Sequence, residues 1–179
     1  KQFLRKEMEA SPFKLVSLEE VVNRTLKLPN GLVVNLGGTI DRTDIRNQTF
    51  RIIDYKTGQA GQTIKEVSEI FDTEKHSSCK AIFQTLLYSL IASEQYKDLP
   101  IAPGVISVKH LLSKDFSMDL YLKPDKNHTE QITLELLKDS FTEHLNQLLL
   151  TLFDKEQPFT QTTCEKSCEY CLFKEHCMK

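Results

Sequence analysis

No apolar run in the sequence approaches the ~20 residues that a membrane span requires. The first ten residues are charged and lack the apolar core of a signal peptide. There is no initiator Met, so the chain reads as a C-terminal piece of something longer. Repeats, low-complexity stretches and Gly/Ser linkers are also missing, which excludes solenoids and flexible tethers. Nor is there a strong excess of one charge. The net charge is -2, which rules out a histone-like or wholly basic nucleic-acid binder but not a local basic surface. Residues 1–60 carry 10 basic and 7 acidic side chains, and residues 121–179 carry 7 and 10. What remains is one ordinary globular domain of 179 residues, 40% hydrophobic and 27% charged. A chain of that size can bury roughly 70% of its unfolded surface.

The five cysteines inform by position. Cys79 stands alone at a helix start and reads as a core residue. Cys164, Cys168, Cys171 and Cys177 crowd into the last 16 residues, too close together to cross-link a fold. They read as reduced ligands, and the protein as intracellular and cytoplasmic. The spacing leaves zinc, an iron–sulphur cluster and no ligand all open. Only one Cys-x2-Cys pair is present where zinc knuckles use two, so the compact asymmetric spacing suits a cluster better.

Along the chain, residues 1–10 read as the end of a helix broken by Pro12, followed by a strand over 13–18. Strands are expected over 32–40 and 50–56, after a turn at Pro29-Asn30-Gly31. Residues 59–78 read as a loop with a helical turn. From Cys79 to Gln95 apolar residues recur at helical spacing, and Pro100 and Pro103 end that region. Strands follow over 105–108 and 118–122. Leu134, Leu137, Phe141, Leu145, Leu148 and Leu152 then mark a long amphipathic helix, closed by Pro158. This order predicts an α/β domain with a small mixed central sheet flanked by helices. Residues 1–158 would form the core, and residues 159–179 a cysteine-rich tail packing on it.

The chemistry concentrates in Gly38-Thr-Ile-Asp41-Arg42 and Ile53-Asp54-Tyr55-Lys56-Thr57-Gly58. With Asn47-Gln48 as a two-residue hairpin loop, residue 46 faces 49, and Asp41 faces Asp54. Lys56 then shares the face of both carboxylates. Opposed like charges destabilise a sheet, so the pair calls for a cation. Oxygen ligands suit magnesium or manganese, and a lysine beside them can hold or deprotonate an attacking water. The three residues also fit a bland alternative, two acids at strand ends with Lys56 as their ion-pair partner. Gln84 and Tyr88 are four residues apart on one helix face, either as a half-exposed stripe or turned towards the same site.

Together Gly38-Thr-Ile-Asp41-Arg42, Asp54-Tyr55-Lys56-Thr57-Gly58 and Gln84-Thr-Leu-Leu-Tyr88 resemble the PD-(D/E)XK nuclease superfamily. The likeness is to its RecB/AddB-type nuclease domains, and also to CRISPR-associated exonucleases. The resemblance implies a restriction-endonuclease-like core and metal-dependent hydrolysis of DNA phosphodiesters. The expected activity is that of an exonuclease in a helicase–nuclease or DNA repair protein. It implies that Asp41, Asp54 and the Tyr55 backbone carbonyl hold magnesium or manganese, that Lys56 serves the attacking water, and that Gln84 and Tyr88 form the accessory motif. The substrate would be single-stranded DNA or duplex ends, with Arg42 and Lys109 as candidate phosphate contacts and Glu19 or Glu20 as a supporting acid. A helicase subunit or domain would be the partner, with no membrane involved. Cys168-Glu-Tyr-Cys171-Leu-Phe-Lys-Glu-His-Cys177 resembles the string that helps hold a 4Fe-4S cluster in that family, with Cys164 as a stand-in for a fourth ligand lying further upstream. The family's earlier helix, with its His or Glu, has no counterpart here, because all five histidines follow the hairpin. The rival reading is a catalytically weak nuclease-like domain that binds DNA or a partner helicase.

Overall fold

The computed structural model describes residues 1–111, 113, 115–158, 160–162, 168–169 and 171–177, with His76 described for its backbone alone. Helix α1 (Gln2–Ala10) leads into three long strands, β1 (Lys14–Lys27), β2 (Val33–Arg46) and β3 (Thr49–Lys56). A short β4 (Thr63–Ile64) and a 3-10 turn (Val67–Phe71) precede α2 (His76–Ala92). Then come β5 (Ile101–Ser107), β6 (Tyr121–Leu122), β7 (Glu130–Gln131) and α3 (Leu134–Leu152). The main sheet runs β1-β2-β3-β5, antiparallel except for the parallel pairing of β3 with β5. Helix α2 makes the crossover that a parallel pair requires. A second, three-stranded sheet orders β4-β6-β7. This is a mixed α/β architecture, as the element order predicts, and it is consistent with the restriction-endonuclease-like core that the resemblance implies.

Several boundaries move. Strand β1 runs to Lys27, nine residues past the expected end, because its side chains alternate between exposed and half-buried and give only a weak pattern. Pro103 lies inside β5 rather than ending a segment. As the outermost strand of the sheet, β5 can spare one backbone donor. Of the expected 118–122 strand, only Tyr121–Leu122 forms, preceded by an isolated bridge at Asp119.

The larger core lies between the main sheet and α2, backed by α3. It contains Ile40, Phe50 and Ile52 from the sheet, Ile82 and Leu86 from α2, and Phe141 from α3. Cys79 is buried within it, as the sequence suggests. A smaller cluster of Ala10, Ile53, Ile106, Leu111 and Met118 lies on the opposite face, under α1. Adjacent residues of β3 therefore serve different faces: Ile52 belongs to the α2 side and Ile53 to the α1 side. Among the described residues, no helix is long and apolar enough to cross a membrane.

Candidate active site

The β2–β3 hairpin sets the site. Asn47 and Gln48 both take left-handed backbone, at φ 49° and 59°, which is the two-residue turn whose twist matches that of its strands. Its pairing runs from Arg46↔Thr49 to Arg42↔Ile53. One step further, that register carries Asp41 opposite Asp54. Across β2, the pairs Leu18↔Arg42 and Glu20↔Ile40 bracket Glu19, whose φ of 51° is also left-handed. A left-handed residue of β1 thus falls beside Asp41, whereas the register shift of that pairing lies between Leu15 and Ser17.

The predicted residues form a connected chain. Asp41 Oδ2 accepts the Tyr55 backbone N–H at 2.7 Å, which fixes its carboxylate against the backbone that follows Asp54. Lys56 Nζ lies 2.7 Å from Asp54 Oδ2, a solvent-shielded oxygen whose compensation is that ammonium. The same Nζ donates to Gln84 Oε1 at 2.9 Å, and Gln84 Nε2 donates to the Tyr88 hydroxyl at 3.2 Å. Helix α2 therefore presents Gln84 and Tyr88 to the carboxylate face. They are not a free polar stripe: Tyr88 is buried and Gln84 half-buried.

Gly38 explains the close approach of the helix. A Cβ there would sit 2.6 Å from the Tyr88 hydroxyl, so this position of β2 has room only for hydrogen. The sequence string marks Gly38 without revealing that reason.

Electrostatically, Asp54 is the perturbed group. Burial pushes its carboxyl above the ordinary carboxylate value; Lys56 opposes this through its bond and charge, Asp41 adds to it, and Lys80 relieves it. A buried acid beside a second acid and a lysine fits a hard divalent cation through oxygen donors. Asp41 and Asp54 are the side chains that would hold one. Among the described residues, no group of three or more His, Cys, Asp or Glu side chains is placed to hold a metal ion. The site is a two-carboxylate one, with room in its chemistry for backbone, substrate and water oxygens.

Other expectations are corrected. Arg42 is not a phosphate contact. It is 3% exposed, its Nη1 lies 2.7 Å from Glu7, its Nη2 lies 2.6 Å from Asp44, and its guanidinium rests over the Phe13 ring. Burial works against its charge, but the bonds with Tyr55 and Glu7 and the charge of Asp44 outweigh that and hold it ionised above its ordinary value. The cause is alternation: next to Asp41 on the strand, Arg42 points to the other face. There it joins Asp44 and Arg51 in a buried ionic cluster that sequence reasoning missed. The signal was present, since the hairpin register pairs Asp44 with Arg51. Glu20 accepts the Ser17 hydroxyl at 2.5 Å, so its described partner belongs to β1 rather than to the carboxylate pair. Lys109 is exposed in the turn that follows β5.

Of the tail cysteines, Cys168 is buried, Cys171 and Cys177 are exposed, and all three are free thiols. Cys164 lies outside the described residues.

The PD-(D/E)XK nuclease superfamily model matches residues 1–178. No curated protein matches the chain. The solved structure of SSO0001 is similar over 97% of this chain, with 13% sequence identity and a TM-score of 0.34. The chain spans 65% of the length of that structure.

Proposed function

The chain belongs to the PD-(D/E)XK nuclease superfamily, and from that premise we propose that it is a magnesium- or manganese-dependent deoxyribonuclease domain. In this reading it is an exonuclease of the RecB/AddB type, working within a DNA repair or helicase–nuclease protein. One observation carries the proposal: Asp54, Lys56, Gln84 and Tyr88 are linked side chain to side chain, with Asp41 fixed beside them.

Asp41 and Asp54 would hold the divalent ion, joined by the Tyr55 carbonyl. Such an ion, when bound, polarises the phosphate and makes water a stronger nucleophile. The remaining work belongs to the side chains. Gln84 fixes the Lys56 ammonium through its Oε1, so the lysine meets an incoming water or phosphate in a set orientation. Tyr88, wedged against Gly38, fixes Gln84 in turn. An iron–sulphur cluster in the tail is a further part of the proposal and rests on the spacing of Cys164, Cys168, Cys171 and Cys177 alone.

The deciding experiment is a magnesium-dependent cleavage assay on single-stranded and duplex DNA. Asp54→Ala and Lys56→Ala are each expected to lower cleavage by about 100-fold or more, and activity unchanged in either refutes the assignment. Calorimetry is the companion measurement: no magnesium or manganese uptake would favour the catalytically weak DNA- or helicase-binding domain instead.

A further inference from the structure

Lys80 lies one helical turn before Gln84, so Lys80, Gln84 and Tyr88 follow one another along a single face of α2. The bond from Lys56 to Gln84 identifies that face as the one turned to the carboxylate pair. Lys80 is exposed. Two lysines that precede it in sequence have acidic partners, Lys56 with Asp54 and Lys75 with Glu69. Lys80 has no ion-pair or hydrogen-bond partner among the described residues. Its charge nevertheless reaches Asp54, where it favours the ionised carboxylate.

Two neighbouring segments add no acid to answer it. The first turn of α2 carries none. The segment leaving β3, from Tyr55 to Lys65, contains two lysines and no Asp or Glu. That segment runs against the start of α2, since a Cβ on Gly61 would collide with the Ser78 carbonyl. An ammonium left unpaired beside an active site, with no acid in the first turn of its helix or in the segment packed against it, is placed to meet an anion.

We infer that Lys80 binds the phosphate next to the scissile one, so that the substrate strand follows the Lys80–Gln84 face of α2. The inference rests on the nuclease reading. Four helical residues advance about 6 Å, close to the separation of neighbouring phosphates in an extended strand. With one phosphate at Asp41, Asp54 and Lys56, the next falls within reach of Lys80. Such a contact adds affinity and strand register without reading sequence.

The test compares wild type, Lys80→Gln, Lys80→Arg and, as a control, Lys138→Gln on α3. Binding of a fluorescent single-stranded oligonucleotide is measured with calcium across a salt series, and cleavage is measured with magnesium. Lys80→Gln is expected to flatten the log K against log salt slope by about 0.7, a roughly fivefold loss of affinity near 0.1 M salt. The loss should fall on KM, and Lys80→Arg should restore it. Lys138→Gln should match wild type. An oligonucleotide with a neutral methylphosphonate next to the cleavage point should bind wild type less tightly but bind Lys80→Gln without further penalty. A slope unchanged in Lys80→Gln, or a methylphosphonate penalty that persists in it, overturns the contact. If wild type cleaves no DNA, the nuclease reading fails instead. The binding slopes then still decide whether Lys80 meets phosphate.

Discussion

Lys56 bridges two partners, and they make different demands on it. Asp54 needs its charge, whereas Gln84 sets its direction. Removing the ammonium in Lys56→Ala should lower kcat by about 100-fold or more, the range for a group that assists proton transfer. Gln84→Ala keeps the ammonium and loses its alignment, so its loss should be smaller. Equal losses in steady-state cleavage would show that Gln84 does more than align Lys56, and no loss in Gln84→Ala would separate the two. Asp54 offers a test that needs no substrate. The folded protein holds its proton more tightly than the unfolded chain, whose carboxyl titrates near 3.8. Its contribution to stability is therefore full below that value and is lost as pH rises through the higher folded value. Asp54→Asn removes this titration. Without divalent ions it should melt above wild type at neutral pH, with the gap closing as the pH falls through the folded value of Asp54. A gap that stays constant with pH in thermal melts would contradict the burial argument. At this scale the sequence was legible where register and face decide the outcome, as for Asp41, Asp54 and Lys56. It misled at Arg42, because a basic residue beside a motif invites a phosphate while strand alternation sends it into the ionic cluster.

At the scale of elements, the site is a contact between one hairpin and one helix, and Gly38 against Tyr88 is its tightest point. Gly38→Ala should push α2 away from β2 and destabilise the fold by about 1–3 kcal/mol, the range for overpacking. Combined with Tyr88→Ala, which empties the space, the two changes should be markedly non-additive in denaturant unfolding. Additive effects would mean that the two residues do not press on each other. On the opposite face, α1 is tied down by Glu7 on Arg42 and by Phe3 edge-on to Tyr55, with ring centroids 6.0 Å apart. Glu7→Ala removes one of the two acidic partners of a buried guanidinium and should cost about 1–3 kcal/mol, with loss of α1 helicity. An unchanged melting temperature would show that Asp44 alone suffices for Arg42. Helix α3 was legible almost to the residue, because its apolar stripe is continuous. Strand β1 was not, because an outermost strand with one half-buried face gives only a faint alternation.

For the molecule as a whole, one sheet divides two tasks. Its α2 face carries the carboxylates, and its α1 face carries buried ion pairs that lock the helix on. Divalent ions should stabilise the intact domain in proportion to their occupancy. Magnesium or manganese is expected to raise the melting temperature of wild type and leave that of Asp54→Asn unmoved. The tail invites a separate measurement. If Cys164, Cys168, Cys171 and Cys177 share a cluster, an anaerobic preparation will be brown, with broad visible absorption that mutation of Cys168 removes. A colourless preparation without iron would end that part of the proposal. The class of fold followed from the order of elements, but the second small sheet did not. Its strands, two residues each, are too short to leave a period in the sequence.

The alternation of β2 and β3 also limits how this chain can change through time. Asp41 and Arg42 are neighbours that serve opposite faces, and so are Asp54 and Tyr55. A single inserted or deleted residue between position 41 and the Asn47-Gln48 turn would exchange those roles, turning the arginine towards the carboxylate site and the aspartate into the ionic cluster. Descendants that remain nucleases should therefore differ in length here by even steps, or only at the turn itself. Away from Gly38, the carboxylate site and the ionic cluster, this hairpin tolerates substitution far better than insertion or deletion.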